Sequence, residues 1–197
     1  IGETPIALMA RKDFPASNLD EFLKLLRQAG PGKYSFATSG VGSSLHLAGE
    51  MINLEGKVQM NHLPYRSGAQ IVTDITGGHL DLAVITLVTA LPIARAGEAK
   101  ILALTSRERS PLAPDIPAIA SHPELAKIDV SAWYGFFAPA GTDGAIVDRL
   151  AREHEVLREL VGLGLGRSAH LDHRRGGETQ DERGEIERRA CARAGWM

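Results

Sequence analysis

An uncharged turn of glycine and hydroxyl residues, set between a β-favouring run and a helical one, constrains this 197-residue chain more than any other feature. Tyr34, Ser35 and Phe36 read as the end of a strand, and they follow the breaker Gly30-Pro31-Gly32. Leu45, Leu47, Ala48, Met51 and Ile52 then recur at helical spacing. Between them lie Gly40 and Gly42, the hydroxyls of Ser39, Ser43 and Ser44, and no charge. A strand turning through Gly and Ser into a helix aims several backbone N–H groups, and the positive end of the helix dipole, at one point. That point favours an anion. The same residues equally suit a tight strand-to-helix turn that needs glycine for its backbone alone, so both readings stand on the motif itself.

Better-known glycine loops fit poorly. A P-loop needs Gly-Lys-Ser/Thr before its helix, and this loop has no lysine. The dinucleotide pattern G-x-G-x-x-G would begin at Gly40 and Gly42, but its third position is Leu45. No Gly-x-Ser-x-Gly surrounds Ser39, Ser43 or Ser44, which argues against a nucleophile elbow. What survives is a cradle for a small anion such as a carboxylate.

The run from Ala37 to Glu50, Ala-Thr-Ser-Gly-Val-Gly-Ser-Ser-Leu-His-Leu-Ala-Gly-Glu, resembles the Ser-Ala-Gly-x-Gly-Ser-x-x-His-Leu signature of one family. These are the solute-binding proteins of tripartite tricarboxylate transporters, also called the Bug family. The resemblance continues through His62 to Ala69, Gly77 to Leu82, Ala90-Leu-Pro92 and Leu102 to Pro111. It extends through Pro114-Asp-Ile-Pro117 and Trp133 to Thr142, and spans Pro5 to Leu160 in all. Several motifs in the right order make it specific, where no single one would.

Composition sets the outer bounds. The formal net charge of −2 gives no basic footprint for nucleic acid. No apolar run approaches the roughly 20 residues of a membrane helix, so nothing marks the chain as membrane-spanning. One cysteine, Cys191, excludes an internal disulfide framework. The seven histidines are scattered and no Cys, His and acid set has metal spacing, so neither a metal nor a cofactor is expected.

Read in order, Pro5 to Ala10 is a buried strand, and Asn18 to Gln28 is a helix with Asn18 as cap and Glu21 completing a capping box. Phe22, Leu25 and Leu26 line its buried face. The helix after the glycine loop runs to about Leu54. Val58 to Leu63 is a strand, and a helix from Ala69 carries Ile71, Val72 and Ile75 to Gly77-Gly78. Leu80 to Thr86 is a strand, Leu87 to Ala96 a helix and Ile101 to Leu104 a strand. This alternation predicts an α/β unit with a mostly parallel sheet, in which Val84 and Ile101 are buried. Ser106 to Pro123 reads as a surface connection rather than core. Val130 to Ala138 is a β-favouring run broken by Gly135, and a helix spans about Asp143 to Leu160. Beyond it an Arg-rich, Gly-rich tail has too few apolar residues to offset its ordering entropy.

The resemblance implies an α/β, periplasmic-binding-protein-like (type II) fold of two lobes, one complete here and one partial. Residues 1–10 would be a crossover strand from the first lobe, and 11–129 the second lobe with its carboxylate loop. Residues 130–160 would be the return crossover and helix, and 161–197 an aberrant or disordered tail, as after a reading-frame error. No signal peptide opens the chain, and the resemblance implies a start in mid-protein that leaves Trp133 to Phe137 partly uncovered.

Carried over by position, the loop Ser39, Gly40, Val41, Gly42, Ser43 and Ser44 would hold the ligand through backbone N–H and hydroxyl groups. His46 is either a ligand contact or a helix-face residue satisfied by nearby backbone. Tyr65 would line or pack the cleft wall, and Thr86 and Thr89 would lie in a second ligand-facing loop. The implied partners are a small carboxylate and the membrane subunits of a tripartite transporter, in the periplasm, with no catalytic residue. Two other readings remain open. One is a serine hydrolase using Ser43 or Ser39 with His46, although no acid stands at a spacing that would orient the histidine. The other is a sensing receptor for a signalling partner.

Overall fold

The computed structural model describes residues 2–161, with side chains through residue 154. In chain order its elements are β1 (Gly2–Arg11), α1 (Leu19–Ala29), β2 (Ser35–Thr38), α2 (Ser44–Gly56), β3 (Asn61–Pro64) and α3 (Gly68–Thr76). Then follow β4 (Leu82–Thr86), α4 (Leu87–Arg95), β5 (Ala99–Leu104), β6 (Ser131–Tyr134) and α5 (Gly144–Val161). Short 3-10 turns occupy Ile119–Ser121 and Pro123–Leu125. The expectation for the tail beyond Val161 falls outside the described residues.

The apolar strands are buried on both faces, and this fixes the layering. Ile6, Leu8 and Ala10 of β1, Phe36 of β2, and Leu82 and Val84 of β4 face a core closed by Leu19, Phe22, Leu23 and Leu26 of α1 and by Leu45, Ala48 and Ile52 of α2. The alternate residues Ala7 and Met9, Ala37, and Ala83 and Ile85 face a second core under Ile71 and Ile75 of α3 and Leu87 and Ala90 of α4. The result is a sheet with helices on both sides. Ile101 is only partly buried, at the margin of the second core, whereas Val84 is fully enclosed.

The strand order is β3-β2-β4-β1-β5, with β6 paired to β1 off this path. β2 pairs parallel with β3 and with β4, but β1 runs antiparallel to both β4 and β5. The sheet is therefore mixed rather than simply parallel. The strand–helix alternation orients β2 to β5 in one direction, as read from the sequence. It carries no information about β1, which inserts between β4 and β5 against them. β1 also serves two partners along its length: Gly2 to Pro5 pair with β6, and Ile6 to Ala10 with β4.

Local chemistry explains the helices. Asn18 Oδ1 accepts from the Glu21 N–H at 2.9 Å, and Glu21 Oε2 accepts from the Ser17 N–H at 2.7 Å. This is a capping box whose return bond lands one residue early. Leu19 and Leu23, not Leu25, complete the fully buried face of α1, and Leu47 of α2 points outward. The proline-rich stretch after β5 is less superficial than its composition suggests. Leu104 bridges to Ala118, Ile119 enters the first core and Ala113 the second.

The β6 region differs from the rest. Trp133, Tyr134, Phe136 and Phe137 are exposed, as are Ile146 and Leu150 of α5, with Phe137 at 84%. The sequence expectation of uncovered aromatic groups here agrees with the structure.

α2 reaches the sheet closely at Gly49, where an added Cβ would lie 2.1 Å from the Phe36 ring. Replacing Gly49 with alanine should destabilise the fold by about 1–3 kcal/mol through overpacking, as read by denaturant unfolding. Gly68→Ala, at a helix start with open space around it, should be close to neutral. Equal stability of the two variants would contradict the close α2–β2 contact.

Candidate functional site

Because β3, β2 and β4 are mutually parallel neighbours, their carboxyl ends open on one edge of the sheet. Thr38 to Ser44, Tyr65 and Thr86 to Thr89 emerge there, so the topology brings the sequence-predicted site residues to a common edge. α2 and α4 start at this edge on opposite faces of the sheet. Such an edge is where open α/β sheets bind ligands.

The glycine loop needs its glycines. Gly40 has φ +130° and Gly42 φ +79°, conformations that side chains rarely adopt. The loop is held mainly by its own side chains. Ser43, the N-cap of α2, accepts from the His46 N–H at 3.2 Å and donates its hydroxyl to the Gly40 carbonyl at 2.9 Å. The buried Thr38 hydroxyl also reaches the Gly40 carbonyl, at 3.2 Å, and lies 2.7 Å from His62 Nε2. The Gly42 N–H donates to His46 Nδ1 at 3.0 Å. At the helix start, the Ser44 and Leu45 amides take no protein acceptor among the described residues.

Each predicted residue now has a place. Ser39, Val41 and Gly42 are exposed at the loop tip, and Gly40, Ser43, Ser44 and His46 are half-buried. His46 stacks on His62, ring centroids 3.9 Å apart, with Phe36 beyond. Glu50 Oε1 lies 3.6 Å from His46 Nε2, so an acid does stand beside this histidine, one helical turn on. The Tyr65 hydroxyl donates to Asp74 Oδ2 at 2.6 Å, and its phenol pKa is raised by that bond and by desolvation. Its backbone N–H ties to the Thr38 carbonyl. Thr86 is the N-cap of α4, but its hydroxyl pairs with that of Thr89 at 3.0 Å and makes no cap bond. Thr38 and His62, which sequence reasoning did not single out, prove central to the loop. The β2–β3 register, Phe36 opposite His62, brings them together, and no local spacing announces it.

No group of three or more His, Cys, Asp or Glu side chains able to hold a metal occurs among the described residues. Likewise, no helix there is long and apolar enough to cross a membrane.

With this geometry, comparison with known proteins gives a consistent result. The family model of the tripartite tricarboxylate transporter family receptor matches residues 1–157. A protein from the tcbD–tcbE intergenic region of Pseudomonas sp. (strain P51) is 34% identical over 149 residues, covering 76% of this chain and 44% of that protein. The structure of MatC from Rhodopseudomonas palustris with bound malate is 30% identical with a TM-score of 0.72, covering 79% of this chain and 52% of that one. The periplasmic binding protein BugD is 30% identical with a TM-score of 0.71, covering 77% and 50%. The chain thus spans about half the length of the relatives it matches.

Burial lowers the His62 pKa, as does the neighbouring His46, while Glu50 opposes them. The folded state therefore resists a proton that the unfolded chain accepts. Stability from this group is complete above the ordinary histidine value of about 6.5 and is lost as pH falls below it towards the lowered one. Thermal melts across that window should show the loss in the wild type and a flatter profile in His62→Gln. Identical profiles would contradict this placement of His62.

Proposed function

The chain belongs to the tripartite tricarboxylate transporter family of receptors, and on that premise we propose that it captures a small carboxylate for delivery to a membrane transporter. The observation that carries the reading is the β2–α2 loop, where Thr38, Ser43 and His46 bond the loop backbone while the Ser44 and Leu45 amides take no protein acceptor among the described residues. Backbone amides at a helix start, with the dipole behind them, suit one carboxylate group. The hydroxyls of Ser39 and Ser44 stand beside them, and the Gly40, Val41 and Gly42 backbone shapes the wall. Thr86 and Thr89 at the start of α4 would take a second polar group of the same ligand. MatC, at 30% identity, was solved with malate, a small dicarboxylate, which supports that ligand class.

Neutral donors suit a receptor that must let go. Charge-assisted hydrogen bonds are roughly twice as strong as neutral ones, so a lysine or arginine in the cradle would slow release. Residues 11–129 would form one wall of a cleft. β1 and the 130–160 segment would lead to the other, since β1 divides its pairing between β4 and β6. BugD is described as periplasmic, and the whole protein would work in the same compartment, with transporter subunits as partners.

The hydrolase alternative needs an imidazole nitrogen on the serine hydroxyl. Here His46 Nδ1 accepts from the Gly42 amide, Nε2 faces Glu50, and Ser43 Oγ meets only the His46 backbone N–H and the Gly40 carbonyl. The geometry supports binding rather than acyl transfer.

In the whole-length protein, Gly42→Val should abolish malate binding measured by calorimetry, because a β-branched residue at positive φ costs about 1–3 kcal/mol and reshapes the loop. Ser35→Ala, on the strand before the loop, should bind as the wild type does. Wild-type affinity in the valine variant would overturn the loop assignment. A serine-reactive phosphonate should leave Ser43 unlabelled, and stoichiometric labelling lost in His46→Leu would favour the hydrolase instead.

A further inference from the structure

His46 is joined to the loop at both its backbone and its ring. Its N–H donates to Ser43 Oγ at 3.2 Å, and its Nδ1 accepts from the Gly42 N–H at 3.0 Å. An acceptor at Nδ1 places the proton of the neutral ring on Nε2, which faces Glu50 Oε1 at 3.6 Å. The ring lies 22° from parallel on His62, whose Nε2 contacts Thr38 Oγ1 at 2.7 Å. Thr38 in turn reaches the Gly40 carbonyl. Both glycines of the loop are therefore tied to the imidazole pair, Gly42 directly and Gly40 through Thr38.

We propose that His46 is a positioning residue whose neutral imidazole holds the Gly42 amide and with it the form of the anion loop, and that protonation at Nδ1 releases it. A protonated Nδ1 is a donor facing a donor, so the bond cannot survive. At Gly42, φ +79°, an added Cβ would meet nothing within 4 Å, and the bond to His46 is the hydrogen bond its N–H makes among the described residues. The titratable groups facing the ring are His62 from β3 and Glu50 from its own helix. The inference deepens the carboxylate-receptor reading by making its loop responsive to pH.

The test uses the isotope-labelled chain without ligand, so failure of the carboxylate reading leaves it untouched. Amide exchange at Gly42 and the His46 ring nitrogens are followed by NMR as pH is lowered, in wild type, His46→Leu and His46→Asn. At a pH where the ring is neutral, Gly42 should exchange several-fold more slowly in wild type than in the leucine variant, up to about tenfold for one hydrogen bond. That protection should vanish as the His46 ring protonates. Asparagine places Oδ1 where Nδ1 sits, so it should restore protection and make it independent of pH. Protection equal in wild type and leucine variant, or unrelated to the ring titration, would overturn the proposal. Should the leucine variant not fold, the comparison of asparagine with wild type decides it: a shared pH dependence refutes the latch.

Discussion

The Gly40 carbonyl and the Gly42 amide are the two groups on which the site depends. The carbonyl accepts from Thr38 and Ser43, and the amide donates to His46. These bonds occupy the Ser43 hydroxyl and His46 Nδ1, while the Ser39 and Ser44 hydroxyls take no protein partner among the described residues. The loop is therefore braced from within, and the donors it has left over, backbone N–H groups with the Ser39 and Ser44 hydroxyls, suit an anion more than a reacting carbonyl. Pre-formed donors need no reorganisation when the ligand arrives, which keeps the entropic cost of binding low.

The frame is set by what lies beneath it. Phe36 fills the gap left by Gly49, so α2 sits close to β2 and its first turn stands at the sheet edge. The Phe36–His62 cross-strand pair then delivers an imidazole to the floor of the loop. Burial of His62 is the cost of that arrangement, and its lowered proton affinity is the mark of it. Packing, cross-strand register and loop chemistry thus form one chain of cause, running from a missing side chain at Gly49 to the unbonded amides of Ser44 and Leu45.

Most of the elements were legible because their signals are local. Asn18 and Glu21 announce α1, Gly77-Gly78 ends α3, and the apolar run from Leu80 to Thr86 reads as a strand. The glycine loop was legible as a strand-to-helix turn, and the exposed Trp133 to Phe137 stretch as uncovered surface. What escaped is non-local. The insertion of β1 between β4 and β5 depends on pairings about 75 and 95 residues away in sequence, which strand–helix alternation cannot reveal. Thr38 and His62 acquire their role only through the β2–β3 register. Ser43 and Tyr65 were named as site residues, but their hydroxyls are bonded within the protein, to Gly40 and Asp74.

The account rests on the claim that a carboxylate meets the amides at the start of α2. The most direct measurement is an amide chemical-shift map of the whole-length protein titrated with malate. The largest shifts should fall on Ser44 and Leu45, with Thr86 to Thr89 next, and smaller ones on Gly42, whose N–H is already held by His46. A map centred away from this sheet edge, with Ser44 and Leu45 unmoved at saturation, would contradict the account.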